Sequence, residues 1–114
     1  MTRDETAHLP PTRSGGRALF DADRFSKPLV VRGWQAGDRF CPQGMKGQTK
    51  KLQDLFTDLK LGREERRDVP ILVAPEGVLW VVGKRQDDRF VVRDSTTVCL
   101  VVTVTMNGER EGAS

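Results

Sequence analysis

Residues 50–82 read KKLQDLFTDLKLGREERRDVPILVAPEGVLWVV, and this stretch contains the clearest helix and the clearest pair of strands in the chain. A helix is predicted over Lys50–Leu61, because apolar side chains recur there at the i, i+3, i+4, i+7 spacing of one helical face. These side chains, which we expect in the core, are Leu52, Leu55, Phe56 and Leu59. Thr49 is the expected N-cap, and Gly62 is the expected C-terminal stop.

The rest of this stretch predicts a short helix followed by two strands. Arg63–Asp68 is rich in Arg and Glu and favours a helical turn that ends before Pro70. Two apolar runs, Ile71–Ala74 and Val78–Val82, flank the turn residues Pro75–Gly77. This arrangement predicts a β-hairpin.

Further strands are predicted on both sides of this stretch. Leu29–Arg32 predicts a short strand, Phe90–Val92 a weak one, and the β-branched run Thr96–Met106 the longest one. The order of the elements indicates an α+β domain. We expect a mostly antiparallel sheet with one amphipathic helix and one short helix packed on one side.

The chain has 114 residues, enough for one domain. Residues 1–16 and 107–114 are polar and rich in Gly and charges, so we expect a flexible leader and a disordered tail around a folded part at 17–106. No apolar run reaches the roughly 18–20 residues of a membrane span, and the leader lacks the apolar segment of a signal peptide. These features predict a cytoplasmic chain with no membrane contact.

Few residues are available for catalysis or for metal binding. The one histidine, His8, lies in the expected leader, and the two cysteines, Cys41 and Cys99, are far apart. A Ser-His-Asp or Cys-His site needs a histidine on a rigid element, and a zinc site needs about four ligands. We therefore expect reduced thiols and no catalytic residue, metal site or cofactor in this chain.

The positive charge is distributed unevenly. The net charge is +3, but Arg24–Arg67 contains eleven bases and five acids, a local net charge of +6. Such an asymmetry indicates a polyanionic partner, of which nucleic acid is the commonest. A basic face that is merely solvated is the alternative.

Two features of this basic segment suggest phosphate binding. Gly44–Lys51 combines two glycines with three lysines at the end of the long irregular segment Gly33–Thr49, and long loops are often functional. Arg63 and Arg67 share a helix face with Arg66 beside them. The alternatives are an exposed basic turn and pairing of the arginines with neighbouring acids.

Three other side chains have two interpretations. Trp34 is a candidate for stacking on a base, and a structural role is the alternative. Asp54 and Asp58 lie four residues apart on a lysine-rich helix face, so salt bridges are favoured over an acid/base pair.

Several segments resemble, in order, the C-terminal domain of tRNA(Ile)-lysidine synthetase: Pro28–Arg32, Gly37–Gly47 (GDRFCPQGMKG), Lys50–Phe56 (KKLQDLF), Arg66, Pro70 and Trp80–Gly83 (WVVG). The resemblance covers about residues 19–105, nearly all of the expected folded part. It also implies a likeness to a domain of phenylalanyl-tRNA synthetase β-subunits.

The resemblance implies a domain that helps to hold the tRNA, near its acceptor stem. The enzyme of that family uses ATP to adenylate a cytidine in the anticodon of a minor isoleucine tRNA and then attaches lysine to it. Its ATP loop lies in a catalytic N-terminal domain, so the implied partners are the tRNA and that domain. The RNA-binding residues carried over by position are Arg39, Lys46, Lys50, Lys51, Arg63, Arg66 and Arg67. The alternative is a protein-docking module whose basic face is incidental.

Overall fold

The computed structural model describes residues 3–12 and 15–106. The strands in these ranges are β1 (Arg3–Thr12), β2 (Gly16–Asp21), β3 (Val30–Arg32), β4 (Arg39–Phe40), β5 (Lys50–Lys51), β6 (Ile71–Ala74), β7 (Gly77–Val81), β8 (Arg85–Gln86) and β9 (Val98–Met106). The helices are α1 (Leu52–Asp58), α2 (Arg63–Asp68) and two short 3-10 helices, Ala22–Arg24 and Asp88–Phe90. Strands and helices are mixed along the chain, which confirms the predicted α+β class.

The strands form three sheets rather than one. In the first sheet, β9 lies between β1, to which it is parallel, and β2, to which it is antiparallel. The second sheet has the order β3-β6-β7-β8 with antiparallel neighbours. Strands β4 and β5 form a separate antiparallel pair, called the basic ribbon below.

The first core lies between the two larger sheets. Phe20, Leu100 and Val102 of the first sheet pack with Leu72 and Leu79 of the second, and each is at most 2% exposed. Burial of each such side chain stabilises the fold by about 1.5–3 kcal/mol. The two sheets are therefore held face to face by apolar packing.

The second core covers the other face of the second sheet. Leu52, Leu55 and Phe56 of α1 pack there against Ile71 and Val81. The second sheet is thus buried on both faces, which explains why its two central strands read as nearly continuous apolar runs. In contrast, α2 contributes no buried residue.

The structure places a strand where the sequence predicted a flexible leader at residues 1–16. β1 pairs in parallel with β9, from Arg3 opposite Val98 to Leu9 opposite Val104. Along β1, Ala7 and Leu9 are partly buried against the first core, whereas His8 is exposed. Partly buried and exposed residues alternate from Asp4 to Leu9, as in a strand. The sequence does not reveal this alternation, because few of the inward side chains are large and apolar.

The helix begins later than predicted. Lys50 and Lys51 belong to β5, and Lys51 rather than Thr49 is the N-cap of α1. The reason is tertiary: the Leu52 N–H donates to the Asp38 carbonyl at 2.9 Å. Pairing with β4 therefore holds both lysines in extended backbone.

The end of the helix also differs from the prediction. Lys60, at φ 59°, adopts the left-handed conformation that was expected of Gly62. The Lys60 N–H donates to Thr57 and the Leu61 N–H to Phe56, which together form a Schellman motif. As a result Leu61 packs against the second core, and Leu59, at 39% exposed, does not.

The C-terminal part of the fold agrees with the sequence in one strand and differs in another. The predicted strand Thr96–Met106 is present as Val98–Met106. Phe90–Val92 is not a strand: Asp88–Phe90 forms a 3-10 helix, and Val91 makes an isolated bridge. The expected disordered tail at 107–114 lies outside the described residues.

Candidate nucleic-acid interface

Two cations face each other on the basic ribbon. Arg39 of β4 is directly opposite Lys51 of β5, and both side chains are exposed. Their ribbon neighbours Phe40 and Lys50 form the other cross-strand pair, in which Phe40 is buried. Like charges directly opposite each other destabilise an antiparallel pair. Neither Arg39 nor Lys51 forms an ion pair within residues 3–12 and 15–106, so both are available to an external anion.

The loop that joins the two ribbon strands presents Lys46. Two successive turns are closed by hydrogen bonds from the Met45 N–H to Pro42 and from the Gln48 N–H to Met45. In the second turn, Lys46 has φ 54° and Gly47 has φ 83°, the two positive values that a type I′ turn requires. The turn therefore exposes the Lys46 side chain at the tip of the loop.

An acidic anchor holds the base of this loop. The Asp87 carboxylate is fully buried and accepts the Cys41 N–H at 2.9 Å. It also accepts the Arg89 guanidinium through Nη2 at 2.8 Å and Nε at 3.0 Å. The polypeptide that leaves β4 is thereby fixed to the chain beyond β8.

Lys50 and Arg66 are already engaged within the protein. Lys50 Nζ forms a salt bridge with Asp58, which confirms the expected pairing for that aspartate. Arg66 donates from Nε to the Leu61 carbonyl at 3.0 Å and from Nη2 to Thr57 Oγ1 at 3.4 Å. Both side chains therefore stabilise the end of α1, and their charges are less available to a ligand than the sequence suggested.

Arg63 and Arg67 lie exposed on α2, four residues apart as predicted. Within the part of the chain that the structure describes, neither forms a salt bridge or a side-chain hydrogen bond. Glu65 instead accepts the Gly62 N–H at the start of α2. The alternative interpretation, in which these two arginines pair with neighbouring acids, is therefore not seen among the described residues.

Trp34 lies beside these arginines. Its indole packs edge-to-face on Phe56, with ring centroids 5.5 Å apart, and is half-buried. An open groove of about 500 Å³, called the Trp34 groove below, runs along it. Its lining residues are Trp34, Leu61, Gly62, Arg63, Arg66 and Arg67.

Asp38 links the Trp34 segment to the basic ribbon. Its carboxylate accepts both terminal nitrogens of Arg32, at 2.9 and 3.0 Å, and the Gln35 N–H at 2.7 Å. Partial burial by itself would raise the pKa of Asp38, but the Arg32 guanidinium and the Gln35 N–H outweigh it and hold that pKa below its ordinary value. The ionised carboxylate thus braces the loop between Trp34 and β4.

A second cluster of cations was missed by sequence reasoning. Arg17, Lys84 and Arg85 line a shallow depression of about 270 Å³, and Arg85 donates to the Gln43 carbonyl at 3.3 Å. Arg17 comes from β2, whereas the other two lie at and before β8. Lys84 and Arg85 are neighbours in the chain, but Arg17 is far from them in sequence, so only the packing of the sheets brings all three together.

The described residues offer little else that is reactive. Both thiols, Cys41 and Cys99, are free and buried. Burial, with smaller contributions from Asp4 and Asp21, raises the pKa of Cys99. Within residues 3–12 and 15–106 there is no group of three or more metal-ligating side chains. Neither helix of that part is long and apolar enough to cross a membrane.

The fold and this surface together define a small α+β domain whose ribbon and second helix expose cations that have no ion pair within residues 3–12 and 15–106. Residues 29–102 match the family described as the TilS substrate C-terminal domain. The chain belongs to this family, which confirms the resemblance found in the sequence.

Curated relatives agree with this assignment. The chain is 44% identical over 104 residues to a tRNA(Ile)-lysidine synthase of Symbiobacterium thermophilum, covering 91% of this chain and 21% of the relative. It is 40% identical over 97 residues to the same-named protein of Parabacteroides distasonis, covering 85% of this chain and 22% of the relative. The chain therefore spans about a fifth of the length of these relatives.

Two solved structures are similar as well. The crystal structure of a TilS C-terminal domain aligns with a TM-score of 0.66 at 33% identity, covering 88% of this chain and 78% of that one. An N-terminal fragment of the phenylalanyl-tRNA synthetase β-subunit from Pyrococcus horikoshii aligns with a TM-score of 0.60 at 22% identity, covering 78% and 27%. The second likeness concerns the fold alone.

Proposed function

We propose that this chain is the tRNA-binding module of a tRNA(Ile)-lysidine synthase. In this proposal the module is cytoplasmic and non-catalytic and holds the backbone of the isoleucine tRNA, at its acceptor stem. A separate ATP-dependent catalytic domain attaches lysine to the anticodon cytidine. The names and lengths of the relatives support this division, because about four fifths of each relative lies outside the match.

The observation that carries the proposal is the arrangement of unpaired cations. Arg39 and Lys51 face each other in solvent, and Lys46 extends from the loop between their strands. Like charges held opposite each other repel until an anion lies between them, and RNA phosphates supply such anions. Arg63 and Arg67 extend the set along α2.

Salt dependence provides the test. Each phosphate contact lowers the logarithm of affinity by about 0.7–0.9 per unit of log salt, so three to five contacts predict a slope of about −2 to −4.5. The measurement is a titration of an unmodified isoleucine tRNA transcript with the 114-residue chain at several salt concentrations. Arg39→Ala with Lys51→Ala should flatten the slope by about 1–2 units and weaken binding.

The matched control is Arg24→Ala with Lys27→Ala, which removes the same charge beside the first sheet. Arg24 pairs with Asp21 at 3.6 Å, Lys27 lines a groove beside β1, and both bases are exposed. This control should bind nearly as well as the unchanged chain. Equal slopes and affinities for the ribbon variant and the control would reject phosphate binding by the ribbon.

A second candidate function, docking against another protein domain, is favoured by one observation. An apolar groove of about 460 Å³ lies between β1 and the segment before β3, and Leu9, Pro28, Leu29 and Leu100 contribute to its lining. Such a groove suits an apolar partner surface. If the ribbon variant leaves tRNA binding unchanged, this docking function becomes the better explanation of the chain.

A further inference from the structure

The Trp34 groove combines an aromatic ring with two cations whose charges are not used within the described protein. Phe56 meets the indole at an interplanar angle of 80°, so it covers at most one face of the ring. Arg63 and Arg67 both line the groove and lie one turn apart on α2. Within the described structure, the lining of this groove includes no acidic side chain.

The three arginines of the groove, Arg63, Arg66 and Arg67, differ in their contacts. Arg66 is held by the Leu61 carbonyl and by Thr57, so it forms part of the wall. Arg63 and Arg67 have no such partner within the described residues and retain their five N–H donors each for a ligand. Guanidinium groups recognise phosphate oxygens with paired hydrogen bonds.

The Trp34 segment is already braced before any ligand binds. Asp38 accepts the Gln35 N–H, one residue after Trp34, and its carboxylate is fixed in turn by Arg32. The Trp34 indole also packs edge-to-face with the Phe56 ring. A preformed aromatic surface costs little ordering entropy when a base stacks on it.

From this geometry we infer that the Trp34 groove binds one unpaired nucleotide, with its base stacked on the Trp34 indole and an adjacent phosphate held by Arg63 and Arg67. A volume of about 500 Å³ is within the range of small-ligand sites, roughly 300–1,000 Å³. A base within a duplex has both faces covered by its neighbours, so the ligand class is a single-stranded end or loop of RNA. This inference rests on the RNA-binding function proposed above.

Tryptophan fluorescence tests it, and Trp34→Leu separates the signals of the two tryptophans, because Trp80, although 4% exposed, also lines the depression of Arg17, Lys84 and Arg85. The 114-residue chain is titrated with a single-stranded RNA tetramer, with a blunt RNA duplex and with inorganic phosphate. The tetramer should quench the Trp34 emission saturably, whereas the duplex and phosphate should not. An unchanged emission with the tetramer would overturn the inference.

Variants assign the contacts by anisotropy of a labelled tetramer. Trp34→Leu should weaken tetramer binding about tenfold, since stacking is the larger contribution. Arg63→Ala with Arg67→Ala should weaken it severalfold and flatten its salt dependence, and this pair lies on an exposed helix face, so folding is retained. The Arg24→Ala, Lys27→Ala chain is the control. Equal tetramer affinity for all these chains would contradict the groove site.

The two proposals fail in different ways. Loss of duplex and tRNA binding in the ribbon variant, with unchanged tetramer affinity for Trp34→Leu, would reject the groove and leave the proposed function intact. Tetramer binding that depends on Trp34, with tRNA binding indifferent to the ribbon, would support the groove and reject phosphate binding by the ribbon.

Discussion

The basic ribbon and the Asp87 anchor lie next to each other around Phe40 but differ in how their charges are paired: the ribbon places two like charges opposite each other, and the anchor pairs opposite charges. In the ribbon, Arg39 and Lys51 face each other in solvent, and neither has an ion pair among the described residues. One residue beyond the ribbon, the Cys41 N–H binds the buried carboxylate of Asp87, which is also paired with Arg89. Around Phe40, two like charges therefore repel each other at Arg39 and Lys51, whereas the charges of Asp87 and Arg89 neutralise each other.

The difference separates charges that stabilise the fold from charges that are available to a ligand. A buried carboxylate must be fully hydrogen-bonded, and the removal of its partners is costly. An exposed pair of like charges contributes only a small penalty, which a bound polyanion removes. By this criterion Lys50, Arg66 and Arg89 serve the fold, whereas Arg39, Lys51, Arg63 and Arg67 have no ion pair among the described residues, and we propose that they bind RNA.

The largest effect is expected at the anchor. Asp87→Ala removes the acceptor of the Cys41 N–H and of three Arg89 nitrogens, so we expect a loss of about 2–4 kcal/mol in the free energy of unfolding. Urea denaturation measures it. Asp87→Asn keeps one acceptor oxygen and should lose less. If the alanine variant were as stable as the unchanged chain, Asp87 would not be an anchor.

A smaller, pH-dependent effect is expected at Asp38. The pKa of Asp38 is lowered in the folded state. Its contribution to the free energy of unfolding is therefore complete above the unfolded pKa of about 3.8 and is lost as the pH falls through the folded pKa. Asp38→Asn should therefore cost about 1–2 kcal/mol at pH 7 and progressively less below pH 4.

Urea denaturation of both chains at pH 7, 5 and 3 measures that difference. The gap between the two should be the same at pH 7 and 5 and should shrink at pH 3. A gap that widened as the pH fell would contradict the ion pair with Arg32.

The smallest expected change in stability is at the ribbon, where the substitution should stabilise the protein rather than destabilise it. Lys51→Glu places an acid opposite Arg39 at the N-terminal end of α1, so the free energy of unfolding should rise by about 0.2–1 kcal/mol. The same substitution should weaken tRNA binding. Thermal denaturation and the tRNA titration measure the two effects on one chain. A variant that was less stable and bound tRNA more tightly would refute the distinction between the two regions.

The parts of the fold that the sequence predicted are those with strong local patterns. The apolar spacing of Leu52, Leu55 and Phe56 predicted the buried face of α1, and the runs at 71–74 and 78–82 predicted β6 and β7. The family resemblance rested on the same region and on the GDRFCPQGMKG segment. These patterns are visible because burial repeats at the helical period in α1 and is nearly continuous along β6 and β7, so each can be read from adjacent residues.

The elements that were missed depend on contacts distant in sequence. β1 was missed because its pairing partner, β9, lies about 95 residues further along the chain. Lys50 and Lys51 looked helical because their extended conformation is imposed by β4. The left-handed position was assigned to Gly62 because glycine adopts it most easily, yet the packing of Leu61 places Lys60 there.

The candidate site shows the same division. The sequence alone determined that residues 24–67 are basic and that Arg63 and Arg67 share a helix face, because charge counts and helical periodicity are local properties. Only the tertiary structure decided which cations are engaged within the protein: Lys50 forms a salt bridge with Asp58, and Arg66 donates a hydrogen bond to the Leu61 carbonyl. It also decided that Trp34 stands beside the free arginines, because packing on Phe56 brings a loop and a helix nearly thirty residues apart into one groove.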